Sequence, residues 1–145
     1  MKLDTQDKYV KYGLIAGGLY VGYKIIQFFA GNSNSIAAAT NEVKTLTAKG
    51  VKPTYPDSSY TQWASSIVSA GFNTLGTNEQ AIYAIFRKMM NDLDVAKLII
   101  AFGNQRVEFS FQSAPLGAWL SSELDSEELA TVNKILSDKK IKYQF

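Results

Sequence analysis

Apolar residues along this chain fall into three regimes. Residues 12–30, YGLIAGGLYVGYKIIQFFA, carry a single charge, Lys24. As one helix they would reach about 28 Å, close to the thickness of a bilayer's hydrocarbon core. Residues 31–57 turn small and polar, with Gly31, Gly50, Pro53 and Pro56 as punctuation. From Ser58 onward apolar positions recur at helical spacing. Tyr60, Trp63, Ala64, Ile67 and Val68 mark one face of a helix over Ser58–Ala70. Ile82, Ile85, Phe86 and Met89 recur at i, i+3, i+4 and i+7 and mark a second over Asn78–Met90. Thr77 with Gln80 reads as a capping box for that second helix, and Ser59 with Gln62 as a cap for the first.

A third helix follows, capped by Asn91 or Asp92, with Leu93, Ala96, Leu98, Ile99, Ile100 and Phe102 as its apolar surface and Gly103-Asn104 as its stop. Polar and apolar residues then alternate over 106–111, the period of a strand. Ser113 and Pro115 open a fourth helix that buries Leu116, Trp119 and Leu120. Asp125 and Glu128 form a capping pair for a fifth, through Leu136, with Leu129 and Val132 inward. The segment 140–145 alternates again, and a lone short strand is not stable, so it is the expected partner of 106–111. The fold class is mainly α: a transmembrane helix, a polar tether, then five helices with a small two-stranded β ribbon. The expected division is 1–30 anchor, 31–57 linker and 58–145 helical domain. Within the linker, Ser35–Ala48 admits a short helix.

In the anchor, Tyr9, Tyr12, Tyr20 and Tyr23 suit the membrane interfaces, and Lys24 lies near enough to one end to snorkel. Lys2, Lys8 and Lys11 precede the span, which places the N-terminus in the cytoplasm or interior and the rest across the membrane. Gly13 and Gly17, and Gly18 and Gly22, stand at the spacing that lets two membrane helices approach closely, so self-association or a helical partner is expected there.

Composition narrows the chemistry. The 145 residues contain no Cys and no His, and the net charge is +2. Thiolate nucleophiles, disulfides, His general bases and the usual transition-metal sites are therefore excluded. Only hard cations on oxygen ligands remain as metals. No basic helix face interleaved with aromatics points to nucleic acid.

The stretch Phe72-Asn73-Thr74-Leu75-Gly76-Thr77-Asn78-Glu79 and the later Leu120-Ser121-Ser122-Glu123-Leu124 fall at two places in one helix order. Together they resemble an annexin repeat over about residues 58–137, one repeat where that family normally has four. The family's loop has a glycine where this chain has Thr74 and an acid where it has Asn78. The resemblance implies a calcium site made of backbone carbonyls of Phe72, Thr74 and Gly76 and the carboxylate of Glu123. Without the resemblance, the stretch reads as a joint between two helices and Glu123 as a helix-end residue.

Three functions are compatible with these readings. The leading expectation is a non-enzymatic, single-pass membrane protein that acts as a structural or interaction component of a cell envelope or a lipid-containing virion. Its partners are the lipid bilayer and other membrane or shell proteins, with no nucleic acid and no cofactor. The alternative is a calcium-dependent module for acidic phospholipid. The third is a membrane-tethered peptidoglycan-degrading enzyme working through Glu108 and Glu123.

Overall fold

A computed structural model describes residues 35–72, 75–107 and 112–145. The expected anchor and its glycines, Gly13, Gly17, Gly18 and Gly22, lie outside the described residues. Among the described residues there are six helices and one small sheet. No helix there is long and apolar enough to cross a membrane.

Chain order is α1 (Ser35–Ala48), α2 (Asp57–Gly71), α3 (Glu79–Phe86), α4 (Asp92–Phe102), β1 (Asn104–Arg106), β2 (Ser113–Pro115), α5 (Leu116–Glu123) and α6 (Ser126–Asp138). Helix α4 is the axis. Leu93, Val95, Ala96, Leu98, Ile99 and Phe102 are buried on it, and both α1 and α2 lie along it. A helix apolar on so much of its circumference has to be central.

Residues 35–57 are a packed layer of the domain and not the tether that their composition suggested. Ala39 is fully buried, Val43 packs on the core, and Tyr55 joins an aromatic cluster. Alanine costs a helix nothing in side-chain entropy, so few apolar residues suffice once a neighbour covers them. Helix α1 ends in a Schellman motif. Gly50 sits at φ +82°, its N–H donates to the Thr47 carbonyl, and the Val51 N–H donates to Leu46.

The helix starts differ from the expected ones at two joints. The residue before α2 is Pro56, with no side-chain cap, and Asp57 occupies the first turn. The cap of α3 is Asn78, whose side chain accepts from the Ala81 N–H; Thr77 lies one residue outside. Helix α3 also ends at Phe86, earlier than Met90, because the chain turns at Arg87 and Lys88 to seat Met89 in the core. Asn91 caps α4. Asp125 and Glu128 form a capping box at α6.

The sheet is a hairpin between neighbours in sequence. Asn104 pairs with Pro115, Gln105 with Ala114 and Arg106 with Ser113, antiparallel. Residues 113–115 are thus strand, and α5 starts only after Pro115. The segment 140–145 does not pair with it. It runs extended along the helices and buries alternate residues, Ile141, Tyr143 and Phe145, in the core. The alternation in 140–145 reflects burial on one side, and the buried side faces helices, not the expected partner strand. Asn133 of α6 holds the backbone of Phe145 at both its N–H and its carbonyl, each at 2.7 Å, which replaces the missing ladder bonds.

Candidate functional site

Two joints carry the polar chemistry of the domain. One lies between α2 and α3, where the sequence placed a candidate ion loop. The chain leaves α2 at Gly71, whose absent side chain is filled by Trp119: a Cβ there would come within 2.4 Å of the indole. Trp119 is fully buried, stacks edge-on with Phe102 and donates its indole N–H to the Arg106 carbonyl at 3.1 Å. The close approach of α2 and α5 thus requires a glycine at 71.

Phe72 follows as the C-cap of α2, exposed, with its N–H on the Val68 carbonyl. Thr74 lies outside the described residues. Gly76 sits at φ +102°, a conformation that β-branched and bulky residues avoid. The Thr77 hydroxyl then donates to the backbone carbonyl of Glu123 at 3.3 Å. The Asn78 N–H closes the turn onto the Ala70 carbonyl at 2.9 Å.

The loop and the end of α5 are therefore neighbours, as the two sequence motifs required. What joins them, however, is a threonine hydroxyl and a main-chain carbonyl. Glu123 is half-buried at the last position of α5. Among the described residues no group of three or more acidic side chains is placed to hold a metal ion. Glu108, the other half of the imagined glycosidase pair, lies outside the described residues.

The second joint escaped the sequence reading. Asp94, in the first turn of α4, is fully buried. Its Oδ1 accepts from the Thr54 N–H at 2.8 Å and the Tyr60 hydroxyl at 2.6 Å. Its Oδ2 accepts from the Thr54 hydroxyl at 2.7 Å and the Met90 N–H at 3.0 Å. Four donors thus converge on one carboxylate, the arrangement that makes a buried charge tolerable. Burial, and next the bond to Asp94, push the Tyr60 phenol well above its ordinary range, so it remains a hydrogen-bond donor.

Around this knot Tyr55, Tyr60 and Trp63 pack edge to face, with ring centroids 4.9–6.3 Å apart. Lys97 bonds Asp57 at 2.6 Å and lies over the Tyr60 ring. A signal for this joint was present. Asp94 shares a face with Leu98 and Phe102 at i+4 and i+8, and an acid on an apolar stripe needs buried partners.

No protein-family model, curated protein or solved structure gives a significant match to this chain.

Proposed function

We propose that this chain is a non-enzymatic, single-pass membrane-anchored structural or interaction protein, a component of a cell envelope or of a lipid-containing virion. The observation that carries the reading is how soon after the apolar stretch the chain is packed. Among the described residues α1 (Ser35–Ala48) already buries Ala39 completely, and the apolar stretch of the sequence ends at Ala30. The four residues 31–34 can extend at most about 14 Å. A domain so close to its anchor stands against the bilayer and does not range on a long tether.

The use of buried polar groups supports the same reading. Asp94, the fully buried acid among the described residues, commits three of its four accepted bonds to holding residues 54–60 against α4 and the fourth to the Met90 N–H just before that helix. That is architecture, and it gives a firm module to be held at a membrane. The annexin-like reading of residues 58–137 belongs to this proposal as a statement about motifs, and the calcium-dependent lipid reading stands as its rival.

Flotation of membranes from cells expressing the full chain, followed by alkaline extraction, tests the anchor. The chain is expected to float and to resist extraction, and removal of residues 12–30 is expected to release it. A full chain that extracts as readily as the shortened one would overturn the reading.

A further inference from the structure

Helices α3 and α6 pack side by side and run in the same direction. Tyr83 of α3 lies beside Thr131 of α6. Further along both helices, the Lys139 ammonium donates to the carbonyls of Arg87 and Met89, the latter at 2.8 Å. Both N-termini therefore lie at one end of the domain and both C-termini at the other. The Thr77–Glu123 bond places the loop before α3 at the first end, beside the start of α6.

Charge is sorted the same way. Glu79, Asp125, Glu127 and Glu128 stand at the N-terminal end; Arg87, Lys88, Lys139 and Lys140 stand at the other, where the one acid of the last turn of α6, Asp138, is paired with Lys134. Helix dipoles favour this arrangement. They do not explain the apolar side chains exposed beside each group. Met90 is 55% exposed, its sulfur 3.9 Å from the Lys139 ammonium. Leu75, in the loop before Thr77, is 95% exposed. None of Arg87, Lys88, Lys139 or Lys140 pairs with a carboxylate among the described residues. Helix α6 has 13 residues, so the two ends stand about 20 Å apart. That exceeds the screening length at physiological salt, and the ends cannot neutralise each other within one chain.

We propose that the basic end, Arg87, Lys88 and Lys139 around Met90, docks on the acidic end of a second copy, around Leu75, so that copies associate head to tail. The inference rests on reading the domain as an interaction component, and it supplies the partner. Such a contact is heterologous. Every copy keeps an unused end, and the products are rings or open arrays, not a closed two-fold pair. Opposite charges bring the ends together and fix their orientation, and the small apolar spots form the dry centre.

The test is the mass of the full chain in mild detergent, measured by light scattering over a concentration series at about 10 mM and about 1 M salt, where the screening length falls from ~30 Å to ~3 Å. Association is expected at low salt and not at high. Arg87→Glu/Lys88→Glu makes both ends acidic, and Glu79→Lys/Glu127→Lys makes both basic; each is expected to weaken association about tenfold or more. Their equimolar mixture is expected to associate again. The neutral Arg87→Gln/Lys88→Gln chain, which introduces no repulsion, is expected to fall between wild type and reversal. Association that survives high salt, or a mixture that stays apart, would overturn the proposal. So would a loss on reversing the basic end with no loss on reversing the acidic end, since a head-to-tail contact needs both. Membrane flotation is a separate measurement, so a failure here leaves the anchor standing.

Discussion

Asp94 and Glu123 each stand where a connection between helices is fastened, but the protein uses them differently. Asp94 is fully buried, and both carboxylate oxygens receive two donors. At Glu123 the neighbouring loop reaches the main-chain carbonyl, through the Thr77 hydroxyl at 3.3 Å. Charge-assisted bonds in a dry setting are about twice as strong as neutral ones. The first joint thus depends on a side chain, while the second depends on backbone shape, on Gly71 under Trp119 and Gly76 at positive φ. An acid's place in a motif says little about its work until its lone pairs are traced.

The comparison breaks most easily at Asp94. Asp94→Ala strands the buried Tyr60 hydroxyl and the N–H groups of Thr54 and Met90. The expected loss is about 3–5 kcal/mol, read as a lower denaturation midpoint of the full chain with an unchanged slope. Thr77→Val at the other joint removes one neutral bond and is expected to cost under about 1 kcal/mol. Equal losses at the two would end the distinction.

Gly71→Ala attacks the second joint where its stability actually resides. The new methyl would enter the space of the Trp119 ring, and a fully buried indole flanked by Phe102 has little room to retreat. Overpacking of this kind costs about 1–3 kcal/mol. Near-UV circular dichroism should show the tryptophan environment change as the melting temperature falls. A neutral outcome would mean that α2 and α5 can separate without loss.

Alkaline pH probes the first joint through Tyr60. Its phenol, like those of Tyr83 and Tyr143, is raised, first of all by burial. A raised folded value means that stability is fully present below the unfolded value near 10 and is lost as pH rises beyond it. Each tyrosine that ionises only in the unfolded chain removes about 1.4 kcal/mol per pH unit above 10. Lys139, lowered by desolvation, works in the opposite sense and gains as pH rises. Tyr60→Phe should therefore flatten the fall of melting temperature between about pH 10 and 11. An unaltered slope would remove Tyr60 from the account.

Much of the helix order was legible because each helix has one apolar face and a polar stop. Asn91 at α4 and the Asp125–Glu128 box at α6 are local chemistry, complete within four residues, and they stand as read. What was not legible depended on distant partners. Residues 35–48 show few apolar side chains because alanine suffices against the broad face of α4. The alternation in 140–145 fixes one-sided burial but not whether a strand or helices lie beneath. At the candidate loop, the Thr77-x-x-Gln80 spacing matches a capping box, but Asn78 is the cap, its N–H tied back to Ala70 and its side chain accepting from the Ala81 N–H. Asp94 was visible as an acid on an apolar stripe, but its donors come from residues 34–40 positions away as well as from Met90.

Calcium is the mildest probe of the comparison. The second joint offers carbonyls and one half-buried acid, and calcium normally takes six to eight oxygens with several charges among them. A ligand that binds only the folded chain stabilises it by RT ln(1 + [L]/Kd), about 1.4 kcal/mol when calcium stands tenfold above Kd. The expected shift of melting temperature in about 1 mM calcium is nil, since that concentration would have to exceed the Kd of a site with a single carboxylate. Glu123→Gln should then leave the melt equally indifferent to calcium. A rise in wild type that Glu123→Gln abolishes would make the two joints alike, each an acid gathering oxygen or nitrogen partners. It would also move the calcium-dependent lipid reading ahead of the structural one. A rise that survives Glu123→Gln would place the ion elsewhere and leave the contrast between the joints intact.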